Sequence, residues 1–265
     1  MTTSERGVSC VGLAVRRGEF RLGPLDLDLA GGTVTCLVGP NGSGKTTLLR
    51  AVMGLVPIAA GEVWVDGRLS RGRSARVLAD VGYAADGADG LIAELTAQEL
   101  WDLHSLAHAE LRGSVPRLQA RAAELARTLD FVPPRLRISA LSHGMQKKTQ
   151  LVAALLHDPS VVVLDEPRNG LDPIGIQRLE DLVVRSAQIG STVLIATHDL
   201  RFAERIADQV VILHRGRVLR TGRPDAIRAG DEADLVEAFF ALVDAADVDN
   251  AVDASDVDDA EELAG

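Results

Sequence analysis

Residues 37–49, LVGPNGSGKTTLL, constrain this chain more than any other stretch. Gly39, Gly44, Lys45 and Thr46 satisfy the pattern G-x-x-x-x-G-K-[ST]. An apolar strand-like run (34–38) precedes it, and a helical pattern (46–55) follows it. Each residue type has a chemical reason to be there. Phosphate oxygens need many donors packed closely, and glycines let backbone N–H groups turn inward without Cβ obstruction. The helix beginning near Lys45 adds the positive end of its dipole. Lys45 brings a point charge to the β- and γ-phosphates, and the Thr46 hydroxyl is suited to Mg²⁺. Pro40, Asn41, Gly42, Ser43 and Thr47 complete the candidate phosphate-binding set.

The rest of the chain alternates between strand and helix patterns. Strands are expected at 8–15, 34–38, 62–65, 81–83, 161–164 and 193–196, and a terminal hairpin at 210–213 and 217–219 around HRG. Helices are expected at 46–55, 97–111, 117–129, 144–157, 174–187 and 234–243. This alternation argues for an α/β fold with a parallel sheet. Between 97 and 129 two helices follow one another without a strand, separated at Gly113 and Pro116, which marks a helical insertion. The run 161–164 is continuously aliphatic, as a strand buried on both faces requires.

That buried run ends in Asp165 and Glu166. Side chains at adjacent positions of a strand end point in different directions. One carboxylate can then face a metal shared with Thr46 while the other polarises an attacking water. Thr197 and His198 follow a second buried strand, where a neutral imidazole can bond a γ-phosphate or its water. His104 and His108 are spaced for one helix face but have no third ligand nearby.

Composition narrows the function. The formal net charge is −10, and residues 244–265 hold nine acidic and no basic side chains. The remainder is near neutral, which argues against a nucleic-acid surface. Residues 244–265 read as a disordered acidic tail, and a calcium loop there fails because Ala251 and Val252 stand where a ligand and a turn glycine belong. Cys10 and Cys36 lie in apolar runs and read as buried thiols of a reducing compartment. No apolar run approaches the roughly 18 residues a bilayer span needs. The first apolar run, 8–15, is read as a strand rather than a signal peptide.

Taken in order, these motifs resemble the nucleotide-binding subunits of ABC transporters, over about residues 8–243. GPNGSGKT resembles the Walker A loop, VVVLDE Walker B, NGLDP (169–173) the D-loop, THD the histidine switch, and LSHGM (141–145) a variant of the LSGGQ signature found among bacterial exporters. The resemblance implies a P-loop ABC ATPase fold with a parallel core sheet, a small antiparallel β subdomain and a helical subdomain inserted at about 86–157. It implies ATP and Mg²⁺ as ligands, with Glu166, His198 and Lys45 as catalytic residues and Thr46, Asp165 and Asp86 at the metal. It also implies a head-to-tail pair of cassettes in which Ser142 and Gly144 bind the γ-phosphate of the facing subunit. A Ser-started helix is locally suited to that task, and as a mere cap the segment would not need Gly144, a poor helix former.

The chain departs from the family pattern at three places: Arg17 and Gly18 where an adenine-stacking aromatic is expected, with Phe20 as a substitute; Asp86 where a glutamine is usual; and Arg168 in place of a small residue. The function expected is an ATPase that powers a transporter, with export favoured, from the cytoplasmic face of the membrane and with separate membrane permease subunits. Two rivals stand beside it. One is a soluble ABC ATPase of DNA repair or translation, opposed by the short span of 54 residues between Asp86 and Leu141. The other is a non-catalytic ATP sensor.

Overall fold

The computed structural model describes residues 6–70, 75–228 and 234–262. Ten strands among them form two sheets. In chain order, β1 (Gly7–Arg17) and β2 (Phe20–Ala30) form a long hairpin, and β3 (Val34–Val38) leads into α1 (Lys45–Val52). Then come β4 (Ala60–Val65), β5 (Arg68–Leu69), the short α2 (Ala75–Ala79) and β6 (Val81–Ala84). The insertion follows as α3 (Ala97–Arg112), α4 (Val115–Thr128), a 3₁₀ turn (Ile138–Ala140) and α5 (His143–Leu155). The chain returns through β7 (Val161–Asp165), α6 (Pro173–Gln188), β8 (Thr192–Thr197) and α7 (Leu200–Ile206). It ends with β9 (Gln209–His214), β10 (Arg217–Gly222), α8 (Pro224–Ile227) and α9 (Leu235–Glu262).

The larger sheet has the order β10-β9-β3-β8-β7-β6. All its pairings are parallel except the β9–β10 edge. The smaller, antiparallel sheet has the order β2-β1-β4-β5. The α/β class, the parallel core and the antiparallel subdomain therefore stand as expected.

Period-two alternation explains why the parallel strands are apolar throughout. Val34, Cys36 and Val38 join Val162, Leu164, Val193, Ile195, Val210 and Ile212 in a core shared with the helices. Their neighbours Leu37, Val161, Val163, Leu194, Ala196, Val211 and Leu213 pack in a second core with Leu13, Leu22 and Leu29 of the antiparallel sheet. A strand covered on both faces leaves no room for a polar face. Burying one such Val, Leu or Ile side chain stabilises the fold by about 1.5–3 kcal/mol relative to exposing it. Both thiols belong to these cores, and burial pushes the Cys10 thiol up to about 12.

The short elements β5, α2, α7 and α8 have no counterpart in the sequence reading, and two longer elements differ from it. Strand β2 was not foreseen, because Gly23-Pro24 interrupts it. Its alternation beyond that point is clear, with Leu25, Leu27 and Leu29 buried while Asp26 and Asp28 face out. Secondly, α9 continues to Glu262, where the helix was expected to stop at 243 and disorder to begin at 244; residues 263–265 lie outside the described residues. Asp247 anchors this extension, meeting His214 Nε2 at 2.7 Å and Arg215 at 3.2 Å. That contact joins groups 33 residues apart, which composition cannot reveal.

Helix boundaries otherwise follow local chemistry. Thr96 caps α3 through a reciprocal box: its hydroxyl accepts from Glu99 N at 3.2 Å, and the Glu99 carboxylate accepts from Thr96 N at 2.8 Å. Gly113, at φ 119°, closes α3, and Ser114 with Pro116 opens α4. The β9–β10 turn uses Arg215 (φ 46°) and Gly216 (φ 77°), the positive pair of a two-residue hairpin.

Candidate nucleotide site

The loop between β3 and α1 is held from behind. Gly216 N donates to Ser43 O at 2.9 Å, so the β9–β10 turn braces the loop. A Cβ on Gly39 would stand 2.1 Å from Leu213 O, which only glycine can accommodate. Gly42 and Gly44 take φ values of 80° and 110°. Lys45 Nζ donates to Gly39 O at 2.7 Å and Pro40 O at 3.1 Å. Burial lowers the Lys45 pKa, against the pull of Glu166 and Asp165.

These residues wall one cavity of about 730 Å³, lined by the loop from Asn41 to Thr47 together with Arg17, Gly18, Phe20, Asp86, Asp165 and Glu166. The two positions expected at the base, Arg17 and Phe20, therefore both lie on it. Ser43 Oγ is buried there without a hydrogen-bond partner. A buried hydroxyl left so is costly unless a ligand satisfies it. The orphaned hydroxyl, the glycine-lined loop and the helix N-terminus fit a polyphosphate.

The acidic side divides as the strand geometry predicts. Asp165 Oδ2 accepts from the Thr46 hydroxyl at 2.8 Å. Burial pushes the Asp165 carboxyl up, with Asp86 and Glu166 adding to the effect, while Thr46 and Lys45 oppose it. A hydroxyl and a carboxylate side by side, the latter short of positive charge, are the donor set of a hard divalent cation. Asp86 lies nearby, its Oδ1 accepting from Asn169 Nδ2 at 3.0 Å and Gly87 N at 2.9 Å. Glu166 bonds to other groups. Its Oε1 meets His198 Nδ1 at 2.9 Å, and its Oε2 accepts from the Thr197 hydroxyl at 3.3 Å. Glu166 itself holds a left-handed φ of 43°, and its N–H donates to Ala196 O at 2.9 Å. Backbone held in this region at a site of chemistry directs the side chain.

Ser142 and Gly144 do not line the cavity. Ser142 Oγ accepts from Met145 N at 3.3 Å and so caps α5. Gly144 meets a constraint the sequence did not reveal: a Cβ there would stand 2.5 Å from Gly170 O in the D-loop segment. Two further residues were missed. Asn169 ties its loop to Asp86, 83 positions away. Lys147, buried in α5, donates to Ala85 O at 2.7 Å beside Asp86. Burial lowers its pKa, while Asp86, Asp165 and Glu166 pull it up. A lysine on the apolar side of α5 was the available signal. His104 and His108 lie in a ring stack with His157, whose ring centroid is 3.9 Å from that of His108. Among the described residues no three His, Cys, Asp or Glu side chains are grouped to hold a metal.

A parallel sheet feeding a glycine loop, with an acidic strand end beside it and a histidine paired to that acidic end, defines a P-loop nucleotide-binding ATPase cassette. The family model for ABC transporters matches residues 22–169. Daunorubicin resistance ATP-binding protein DrrA3 of Streptomyces coeruleorubidus is 34% identical over 238 residues, covering 88% of this chain and 74% of that protein. Nod factor export ATP-binding protein I of Rhizobium leguminosarum bv. viciae is 32% identical, covering 79% of this chain and 67% of that protein. A solved ATP-binding subunit of an ABC transporter superposes with a TM-score of 0.82 at 28% identity, covering 89% of this chain and 98% of that one. The chain belongs to the ABC transporter family, as its ATP-binding ATPase subunit.

Proposed function

We propose that two cassettes close head to tail over two ATP molecules and that hydrolysis reopens them. The observation that carries this reading is that Thr46, Asp165 and Glu166 line one cavity, with Thr46 bonded to Asp165 and His198 paired to Glu166. The loop 39–46 binds the phosphates, and Lys45 offsets their charge. A bound Mg²⁺ would be held by Thr46 and Asp165, with Asp86 beside them, and would supply charge neutralisation on the phosphates. Glu166 accepts the proton of the attacking water, and His198 holds the Glu166 carboxylate in place through Nδ1. Ser142, outside the cavity of its own chain, serves the facing subunit's γ-phosphate with the N-terminus of α5 behind it. A closed pair of this kind drives work only if ATP binds it more tightly than the open state.

Separate integral membrane permease subunits are the partners we assign, and the cytoplasmic face of the membrane the site of action. Among the described residues no helix is long and apolar enough to cross a membrane. Half-exposed Ile92, with Leu91 and Leu95 beside it at the entry to the helical insertion, offers a contact for such a partner. Export is favoured because the Nod-factor relative is named for export. Glu166→Gln tests the mechanism: phosphate release should fall by at least about 100-fold while ATP binding persists and dimers accumulate with ATP. Wild-type turnover in that variant would refute the assignment.

A further inference from the structure

Arg168 replaces a small residue and lies two positions beyond Glu166. Its Nη1 pairs with Asp199 Oδ2, and its guanidinium lies 5.1 Å from the centroid of the fully buried Phe202 ring. The side chain is only 23% exposed, so it is held rather than solvated. Asp199 is fixed at both ends. Its Oδ1 accepts from Phe202 N at 2.8 Å as the cap of α7, and its own N–H donates to Thr197 Oγ1 at 3.1 Å. That Thr197 hydroxyl donates to Glu166 Oε2. His198, the residue between Thr197 and Asp199, meets the other Glu166 oxygen. The contacts thus close a ring: from Glu166 along the chain to Arg168, across to Asp199, and back through His198 and Thr197 to Glu166.

We infer that Arg168 is a positioning residue for the Glu166–His198 pair, acting through Asp199. The inference rests on the hydrolytic reading above. His198 is 63% exposed, so packing alone does not fix its ring. Its direction depends on the segment that carries it, and Arg168 clamps that segment to the strand end bearing Glu166. A planar guanidinium suits the task because it can pair with a carboxylate and stack on an aromatic face at once.

A double-mutant cycle tests this. Arg168→Met removes the charge but keeps an apolar stem over Phe202. Asp199→Asn removes the charge but keeps a good helix cap. Each should lower kcat for ATP roughly ten- to hundred-fold, as small displacements of a reacting group do, with KM changed less than two-fold. The double variant should be no slower than the slower single, because both remove one interaction. Arg168→Lys should recover part of the rate. The imidazole ¹⁵N resonances of His198 should move in Arg168→Met even without nucleotide. That last reading does not depend on hydrolysis, so it distinguishes failure of the clamp from failure of the ATPase mechanism, which Glu166→Gln tests separately. Full kcat in Arg168→Met, additive losses in the cycle, or unmoved His198 resonances would each overturn the assignment.

Discussion

Gly144→Ala sets helix propensity against packing at a single atom. Gly144 occupies the first turn of α5, where alanine should be favoured by up to about 1 kcal/mol. The new Cβ would stand 2.5 Å from Gly170 O, whereas carbon–oxygen contacts normally lie near about 3.3–3.6 Å. Relief therefore requires the two segments to part by roughly 0.8 Å. Gly170 itself packs close to the start of α5: a Cβ on it would stand 3.1 Å from His143 and 3.2 Å from Gly144 N. Such overpacking costs about 1–3 kcal/mol, which exceeds the propensity gain and leaves a net loss of about 1 kcal/mol. For a chain of this size each kcal/mol moves Tm by about 2–4 °C. The variant should unfold about 2–4 °C earlier than wild type when followed by circular dichroism without nucleotide. A Tm raised by a similar amount would mean that propensity alone governs the position and that the close approach of Gly170 is not real.

Thr96→Ala removes the capping box of α3 and should lower stability by about 1 kcal/mol, read as a denaturant midpoint shift without change in slope. An unchanged midpoint would deny the cap its role. His157 gives a pH dependence: burial, with His108, Arg112 and His104 adding to it, pushes its pKa down to about 3. Its folded pKa lies below the unfolded value of about 6.5, so the stability it permits is complete above that pH and is lost as pH falls toward 3. His157→Phe keeps a ring against His108 and should flatten the acid limb by about 1.4 kcal/mol per pH unit below about 6. Parallel urea midpoints at pH 7.5 and 5.5 for the two proteins would contradict that.

Much of the site was legible because its chemistry is local. Eight consecutive residues, 39–46, carry the loop, the lysine and the hydroxyl, and the strand and helix that orient them lie immediately on either side. Asp165 and Glu166 could be read from the aliphatic run that ends in them, since a strand's period of two turns neighbouring side chains apart. The same local rules placed the helical insertion and the final hairpin. Gly144 was legible as unusual, but only part of its reason was.

The tertiary structure decided whatever joins distant positions. Strand β2 finds its partner β1 and the core that Leu25, Leu27 and Leu29 fill only in the fold. Asp86 acquires Asn169, Lys147 acquires the Ala85 carbonyl, and Asp247 acquires His214. Propensity, capping and alternation act over a few residues and are written directly in the sequence. Burial and charge pairing depend on which surfaces the folded sheets bring together, so Gly144 meets Gly170, and Arg168 meets Asp199, only once the chain has closed on itself.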